Sequence, residues 1–205
     1  MITTSNNQLH FDERIPLNSK VKIGKLSNGL TYYIQANKKP LQRAEMRLVV
    51  KAGSILEDED QQGLAHIVEH MAFNGTTNFK SGELVDFFES IGMQFGAHLN
   101  ASTGFDETIY KMQIPMDKEE IIERAFAIMR DWTTELLFEG SEIERERKVG
   151  LEEYRSGLGV QTRIRKKLLP YIFYKSHYHK RLPIGTEESL LNFNHEALQR
   201  FHHSQ

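Results

Sequence analysis

The sequence of 205 residues contains no cysteine. Disulfide bonds are therefore excluded, and so are metal sites built from thiolates, such as zinc fingers. A metal ion in this protein must be held by nitrogen and oxygen ligands. The absence of cysteine leaves the redox compartment open.

Long apolar runs and a strong charge of either sign are also missing. No stretch approaches the roughly 18 consecutive apolar residues that span a bilayer, and residues 1–8 have no signal-peptide core. The formal net charge of −2 gives no reason to expect nucleic acid as a partner, and the short basic run at 163–167 indicates a solvated helix face. We expect either a cytoplasmic protein or one from which a targeting segment was removed.

Residues 61–75 contain a two-histidine motif on a predicted helix. Apolar residues recur there at helical spacing, while His66, Glu69 and His70 repeat the spacing on another side. Because residues four apart lie one helical turn apart, both imidazoles reach a single metal ion, with Glu69 beside them. The order His-x-x-Glu-His is the inverzincin pattern. The alternative interpretation is an amphipathic helix with two surface histidines.

The apolar stripe predicted for this helix consists of Leu64, Ile67, Val68 and Met71. An acidic run at 57–60 precedes the helix and suits the positive end of its dipole. Asn74 and Gly75 follow as a predicted C-terminal stop.

A catalytic zinc site needs a third protein ligand and one open position. The helix predicted at 141–157 offers several carboxylates, and it begins with a capping-box signature, Ser141-Glu-Ile-Glu144. Its candidates are Glu142, Glu144, Glu146, Glu152 and Glu153. Glu146 and Glu153 lie two turns apart on nearly one face, but periodicity alone does not choose among the five.

The remaining patterns predict an α+β domain with helices packed on a mainly antiparallel sheet. A two-residue hairpin turn is predicted at Asn28-Gly29. Further strands are predicted at 44–52, 95–101 and 107–114, and helices at 81–90, 117–137, 171–178 and 195–203. Residues 1–20 are predicted to be a lead-in and 21–205 a single domain, truncated before its C-terminal end because the last helical pattern stops abruptly.

Several motifs occur together in this chain. They are His66-x-x-Glu69-His70, Glu144-Arg-Glu146-Arg, Leu151-Glu152-Glu153, and the contexts Asn28-Gly29-Leu30 and Gly63-Leu64-Ala65-His66. Together they resemble the pitrilysin/insulinase family of zinc peptidases, in particular its bacterial, processing-peptidase-like branch. The likeness covers most of residues 22–203, and it implies a processing-peptidase/insulinase-like metallohydrolase domain that cleaves peptide bonds in peptides or unfolded segments.

The resemblance implies a role for each residue of the site. His66, His70 and Glu153 would bind one zinc ion per chain. Glu69 would be the general base, and Glu146 would support the site through a histidine ring N–H.

A further implication concerns substrate binding. Asn100, Ala101, Ser102 and Thr103 match the family's Asn-Ala-x-Thr stretch. In the family this stretch lies on an edge strand that pairs with the substrate backbone, which is β-augmentation.

Two features depart from the family pattern. There are 82 residues between His70 and Glu153, more than in some branches, so a rigid count would select Glu146 as the ligand. Gly150 stands where relatives usually carry an aliphatic residue, at a cost of about 1 kcal/mol in a helix interior. The local context Leu-Glu-Glu still favours Glu153.

The family combines two or four such domains around a chamber, and a downstream domain supplies Arg and Tyr groups for substrate. We therefore expect the N-terminal, metal-bearing part of a longer enzyme, inactive in isolation, with a peptide substrate and the remaining domains as partners. Export of bacterial relatives suggests the cell envelope or periplasm. Two alternatives stay open: a non-catalytic peptide-binding or partner subunit of the same fold, and a different metal hydrolase using the same ligands.

Overall fold

The computed structural model describes residues 16–204. Most of the predicted lead-in, residues 1–15, lies outside the described residues. Within them the α+β class is confirmed, since two antiparallel sheets are accompanied by helices. The described part has no helix with the length and hydropathy needed to cross a bilayer.

The strands are β1 (Val21–Lys25), β2 (Thr31–Gln35), β3 (Arg43–Val50), β4 (Leu99–Thr103) and β5 (Thr108–Pro115). The α-helices are α1 (Leu64–Met71), α2 (Glu83–Ser90), α3 (Glu119–Thr134), α4 (Gly140–Ser156), α5 (Val160–Ile172), α6 (Glu187–Asn192) and α7 (His195–His203). Short 3-10 helices occupy Ser54–Leu56, Glu59–Gln61 and Tyr178–Lys180. The described residues divide into two compact units, with the boundary between residues 41 and 42.

The described part of the first unit contains an antiparallel hairpin, in which Lys25 on β1 lies opposite Thr31 on β2. The predicted turn is present, but it is one residue longer than expected. The N–H of Gly29 donates to the carbonyl of Leu26 (2.9 Å), and the N–H of Leu26 donates to Leu30 (2.8 Å). Gly29 has φ +94°, so the connection is a three-residue turn that ends in a left-handed glycine.

The second unit is built on a three-stranded antiparallel sheet in the order β3-β5-β4. The central strand β5 alternates as a half-buried strand should, with Thr108, Tyr110, Met112 and Ile114 buried. Strand β4 lies at an edge, with Thr103 opposite Thr108. It begins four residues later than predicted because the N–H of Gly96 donates to the carbonyl of Leu99 (2.7 Å) in a turn.

Helix α1 buries the predicted apolar stripe, with Leu64, Ile67 and Met71 fully enclosed. At eight residues it is shorter than predicted, because the left-handed Gly63 (φ +95°) delays its start to Leu64 and the regular helix ends at Met71. The carboxyl group of Glu57 accepts the N–H groups of Gly63 (3.0 Å) and Ala65 (2.9 Å) at the helix start. Glu57 of the acidic run therefore lies at this helix end and satisfies two of its backbone N–H groups.

The predicted capping box at the start of α4 is wrong. Ser141 lies inside the helix, and no side chain caps its first turn. The Glu144 carboxylate is instead bonded by Arg147 and His195, each at 3.0 Å. Arg147 of the same helix and His195 of α7 thus bind the carboxylate that the predicted cap would have used.

Gly150 permits close packing of α4 against α1. A Cβ built at this position would lie 2.8 Å from Cδ1 of Ile67, which is shorter than any ordinary contact. The missing side chain therefore has a packing reason that offsets its helix-propensity cost.

Two C-terminal helices were predicted, with different outcomes. The helix at 195–203 is confirmed as α7. The helix at 171–178 is mostly wrong, because α5 ends at Ile172 and the chain then turns so that Tyr178 stacks on Phe173, with ring centroids 5.3 Å apart.

Candidate metal centre

Three predicted ligands come together where α1 meets α4. The Nε2 atoms of His66 and His70 are 3.1 Å apart. Oε2 of Glu153 lies 3.6 Å from Nε2 of His66 and 3.7 Å from Nε2 of His70. All three ligand atoms thus fall within 4.8 Å of one another.

These separations fit a zinc ion. Tetrahedral zinc with ligand bonds of about 2.0–2.1 Å holds its ligand atoms about 3.3–3.4 Å apart. The observed distances of 3.1 to 3.7 Å bracket that value. Two imidazole nitrogens and one carboxylate oxygen are also a donor set of catalytic zinc sites. The Glu153 side chain is 46% exposed, so the site has an open side.

Glu146 lies behind His70, on the side away from the shared ligand position. Its Oε2 is 2.9 Å from Nδ1 of His70, which makes Nδ1–H the donor and leaves the Nε2 lone pair free for a metal. Burial alone would raise the pKa of Glu146. Hydrogen bonds from His70 and Asn74 outweigh burial and hold this pKa below its usual value.

Two further residues hold the Glu146 carboxylate. The side-chain amide of Asn74 donates to Oε1 of Glu146 (2.8 Å), and Nε of Arg145 lies 3.4 Å from the same oxygen. Arg145 also donates to the Asn74 side chain. From the sequence, Asn74 was predicted only as part of a helix stop. The available signal was its position four residues after His70, on the side that faces α4.

The two histidines differ in their protonation. Burial, with a smaller effect of the His70 charge, lowers the pKa of His66 to about 4. Burial also acts to lower the pKa of His70, but the hydrogen bond to Glu146 and nearby carboxylates raise it. His66 is therefore neutral at pH 7, which is the form that binds metals.

Glu69 occupies a buried position beside these ligands. Burial raises the pKa of its carboxyl, and a hydrogen bond from Thr103 opposes this shift. The Thr103 hydroxyl is 2.5 Å from Oε2 of Glu69. The charges of His70 and Glu153 both act on this carboxyl, so Glu69 shares the electrostatic environment of the ligand cluster.

The predicted substrate-binding residues all lie on β4, the edge strand beside α1. They are Asn100, Ala101, Ser102 and Thr103. The side chains of Asn100 and Ser102 are exposed, whereas Ala101 and Thr103 are partly buried. The contact of Thr103 with Glu69 was not predicted from the sequence.

This α+β domain carries two histidines one helical turn apart and a glutamate from a second helix. These are the features of a metal-dependent hydrolase of the inverzincin type. Residues 32–183 match the profile of the family described as Insulinase (Peptidase family M16). The chain belongs to that family, which confirms the family membership predicted from its motifs.

Individual relatives are zinc proteases by name. "Zinc protease PQQL-like" of Arabidopsis thaliana is 41% identical over 179 residues, which are 87% of this chain and 19% of that protein. "Probable zinc protease PqqL" of Haemophilus influenzae is 34% identical over 203 residues, 99% of this chain and 22% of that protein. The chain spans about a fifth of the length of these relatives.

A solved structure shares the fold. The periplasmic protease PqqL from Escherichia coli superposes with a TM-score of 0.87 at 31% identity. The match covers 92% of this chain and 21% of that one. The fold described above is therefore shared with part of a known periplasmic protease.

Proposed function

We propose that this chain is the metal-bearing part of a zinc metalloendopeptidase that hydrolyses peptide bonds in peptides or unfolded segments. The observation that carries the proposal is the convergence of His66, His70 and Glu153 within 4.8 Å. The zinc-protease names of its relatives support the same activity.

In this proposal Nε2 of His66, Nε2 of His70 and Oε2 of Glu153 hold one zinc ion. When bound, zinc would supply Lewis-acid activation of water and of the peptide carbonyl. Glu146 holds the His70 ring in the ligating orientation by accepting its Nδ1–H.

Glu69 is the proposed general base. Its carboxylate takes a proton from the attacking water and returns it to the leaving amine. Burial raises the pKa of this carboxyl, which makes Glu69 a stronger base than a solvent-exposed glutamate.

The edge strand β4 is the proposed docking site for substrate. An edge strand presents unpaired backbone groups, and an extended peptide pairs with them as an added strand. Most strand-like segments of a folded protein are already paired within its own sheets and are not free to add to β4. Residues 100–103 would therefore select peptides and unfolded segments over folded domains.

The relatives are about five times longer than this chain, so we propose that further domains complete the enzyme. By analogy with the E. coli protease, we propose that it acts in the periplasm or cell envelope. A partner subunit without activity is the second candidate, but such subunits typically lack the intact His-x-x-Glu-His that this chain retains.

The test compares Glu69→Gln with Glu152→Gln in a form that includes the proposed further domains. Glu152 is a matched control because it is an exposed glutamate of α4 outside the ligand cluster. We expect both variants to retain about one zinc per chain, and Glu69→Gln to lose about 10²-fold or more in hydrolysis of an unstructured peptide.

Retained hydrolysis by Glu69→Gln would refute the assignment of the base. If the zinc-loaded parent cleaves no unstructured peptide, the site belongs to a different metal hydrolase or to a partner subunit.

A further inference from the structure

Thr103 connects the edge strand to the candidate base. It is the last residue of β4, and its hydroxyl donates to Oε2 of Glu69 on α1 over 2.5 Å. The two residues are 34 positions apart, so the contact is built by the fold and not by local sequence.

The direction of this hydrogen bond is set by the neighbouring threonine. Oγ1 of Thr108 donates to the carbonyl of Ala52 (2.9 Å), so its own proton is already used. Oγ1 of Thr103 lies 3.4 Å from Oγ1 of Thr108 and much closer to the carboxylate. The single hydroxyl proton of Thr103 is therefore directed at Glu69.

The Thr103 side chain is suited to hold a carboxylate still. A β-branched residue in a strand has a restricted χ1, and the pairing of Thr103 with Thr108 fixes its backbone. Glu69 has three side-chain torsions. The bond from the Thr103 hydroxyl to Oε2 restrains the orientation of this carboxylate.

We propose that Thr103 is a positioning residue for Glu69, and that it couples occupancy of the edge strand to orientation of the base. The inference rests on the proposed function. Because Thr103 lies on the same strand as residues 100–102, a peptide that pairs with β4 restrains Thr103 and, through its hydroxyl, Glu69. Peptides too short to pair along β4 then lose turnover as well as affinity.

The test uses Thr103→Val, which has nearly the same shape without the hydroxyl, and Thr103→Ser, which keeps the hydroxyl. Both are made in the zinc-loaded protein with its proposed further domains. We expect Thr103→Val to lower kcat about 10- to 100-fold with KM within about twofold of the parent value, because a small misplacement of the base is costly. Thr103→Ser should keep kcat within about threefold of the parent value.

Zinc content and the thermal unfolding midpoint are measured on each variant, and both should match the parent. The variants are then repeated in a Glu69→Gln background, where Thr103→Val should cause no further loss because both changes act on one group.

An unchanged kcat in Thr103→Val, a loss confined to KM, or equal impairment of Thr103→Ser would overturn the inference while leaving the proposed function intact. If Thr103→Val loses its fold or its zinc, the result for Thr103→Ser decides. A kcat equal to that of the parent in Thr103→Ser supports the role of the hydroxyl, and an impaired kcat overturns the inference. Absence of cleavage by the parent would overturn both proposals.

Discussion

Glu57 is a buried acid that no motif singles out, yet it organises the start of α1. It accepts two backbone N–H groups of the helix, and its own carbonyl accepts Nε of Arg181 (2.9 Å). Arg181 is also buried and binds Glu59 (2.8 Å). Burial raises the pKa of Glu57 to about 8, although the N–H groups and the Arg181 charge oppose this shift.

This pKa predicts how stability changes with pH. Between the ordinary value of 4.5 and about 8, folded Glu57 keeps a proton that the unfolded chain releases. Its contribution to stability is therefore complete below pH 4.5 and declines as pH rises towards 8, by at most about 1.4 kcal/mol per pH unit.

Urea unfolding from pH 5 to pH 8 checks the prediction on the parent and on Glu57→Gln, which does not titrate. The free energy of unfolding of the parent, relative to that of Glu57→Gln, should fall as pH rises. Glu123→Gln, an exposed change on α3, should follow the parent curve. Parallel curves for the parent and Glu57→Gln would contradict the assigned pKa.

At the scale of elements, the candidate centre is shared between α1 and α4. Helix α1 contributes two turns with both histidines, and α4 contributes Glu146 and Glu153, two turns apart. The two carboxylates serve different atoms of the histidines. Glu146 contacts Nδ1 of His70, whereas Glu153 faces the Nε2 atoms.

This division predicts different effects on metal binding. Glu153→Ala should abolish stoichiometric zinc, because it removes a ligand atom. Glu146→Ala should keep zinc but weaken its affinity about 10- to 100-fold, because it removes the acceptor that orients His70. Elemental analysis and competition with a chelator measure both quantities.

Glu152→Ala is the matched control for these two variants. Its side chain is 76% exposed, and it should bind zinc as the parent does. If Glu146→Ala lost zinc and Glu153→Ala kept it, Glu146 would be the zinc ligand and Glu153 the residue that supports the site.

At the scale of the whole molecule, the centre is only partly enclosed by this chain. Glu153 is half-exposed beside buried Glu69, and the relatives are about five times longer. Under the proposed function, groups from outside residues 1–205 complete the substrate site.

We therefore predict that residues 1–205 bind zinc but do not hydrolyse peptides. A quenched fluorescent peptide, assayed at equal zinc occupancy, compares this chain with a form that includes the proposed further domains. Only the longer form should cleave it. Comparable cleavage by residues 1–205 alone would contradict the prediction and show that this chain is sufficient for peptide hydrolysis.

Much of the fold and part of the candidate metal centre were predictable from the sequence, because they depend on the local periodicity of helices and strands. The spacing of His66 and His70 follows from one turn of helix, and alternation in β5 follows from the strand period. The class of fold was predicted for the same reason, whereas the family was predicted from the resemblance of several motifs taken together. Glu153 was selected over Glu146 because its Leu-Glu-Glu context resembles that of the family, and the structure places its carboxylate next to both Nε2 atoms.

The remaining features depend on contacts between distant residues, which periodicity does not encode. The bonds of Asn74 to Glu146 and of Thr103 to Glu69 join separate elements. Likewise, the capping box failed because Glu144 has partners from a later helix and from its own second turn. The observed bounds of helices and strands differ from the predicted bounds where such contacts outweigh the local sequence pattern.

The close approach of Gly150 to Ile67 means that these two positions share one limited volume. A relative with an aliphatic residue at the first position must carry a smaller side chain at the second, turn the end of that side chain away, or hold its helices farther apart. Exchange of α4 between family members would therefore preserve the placement of its glutamates best if the partner of position 150 is exchanged with it.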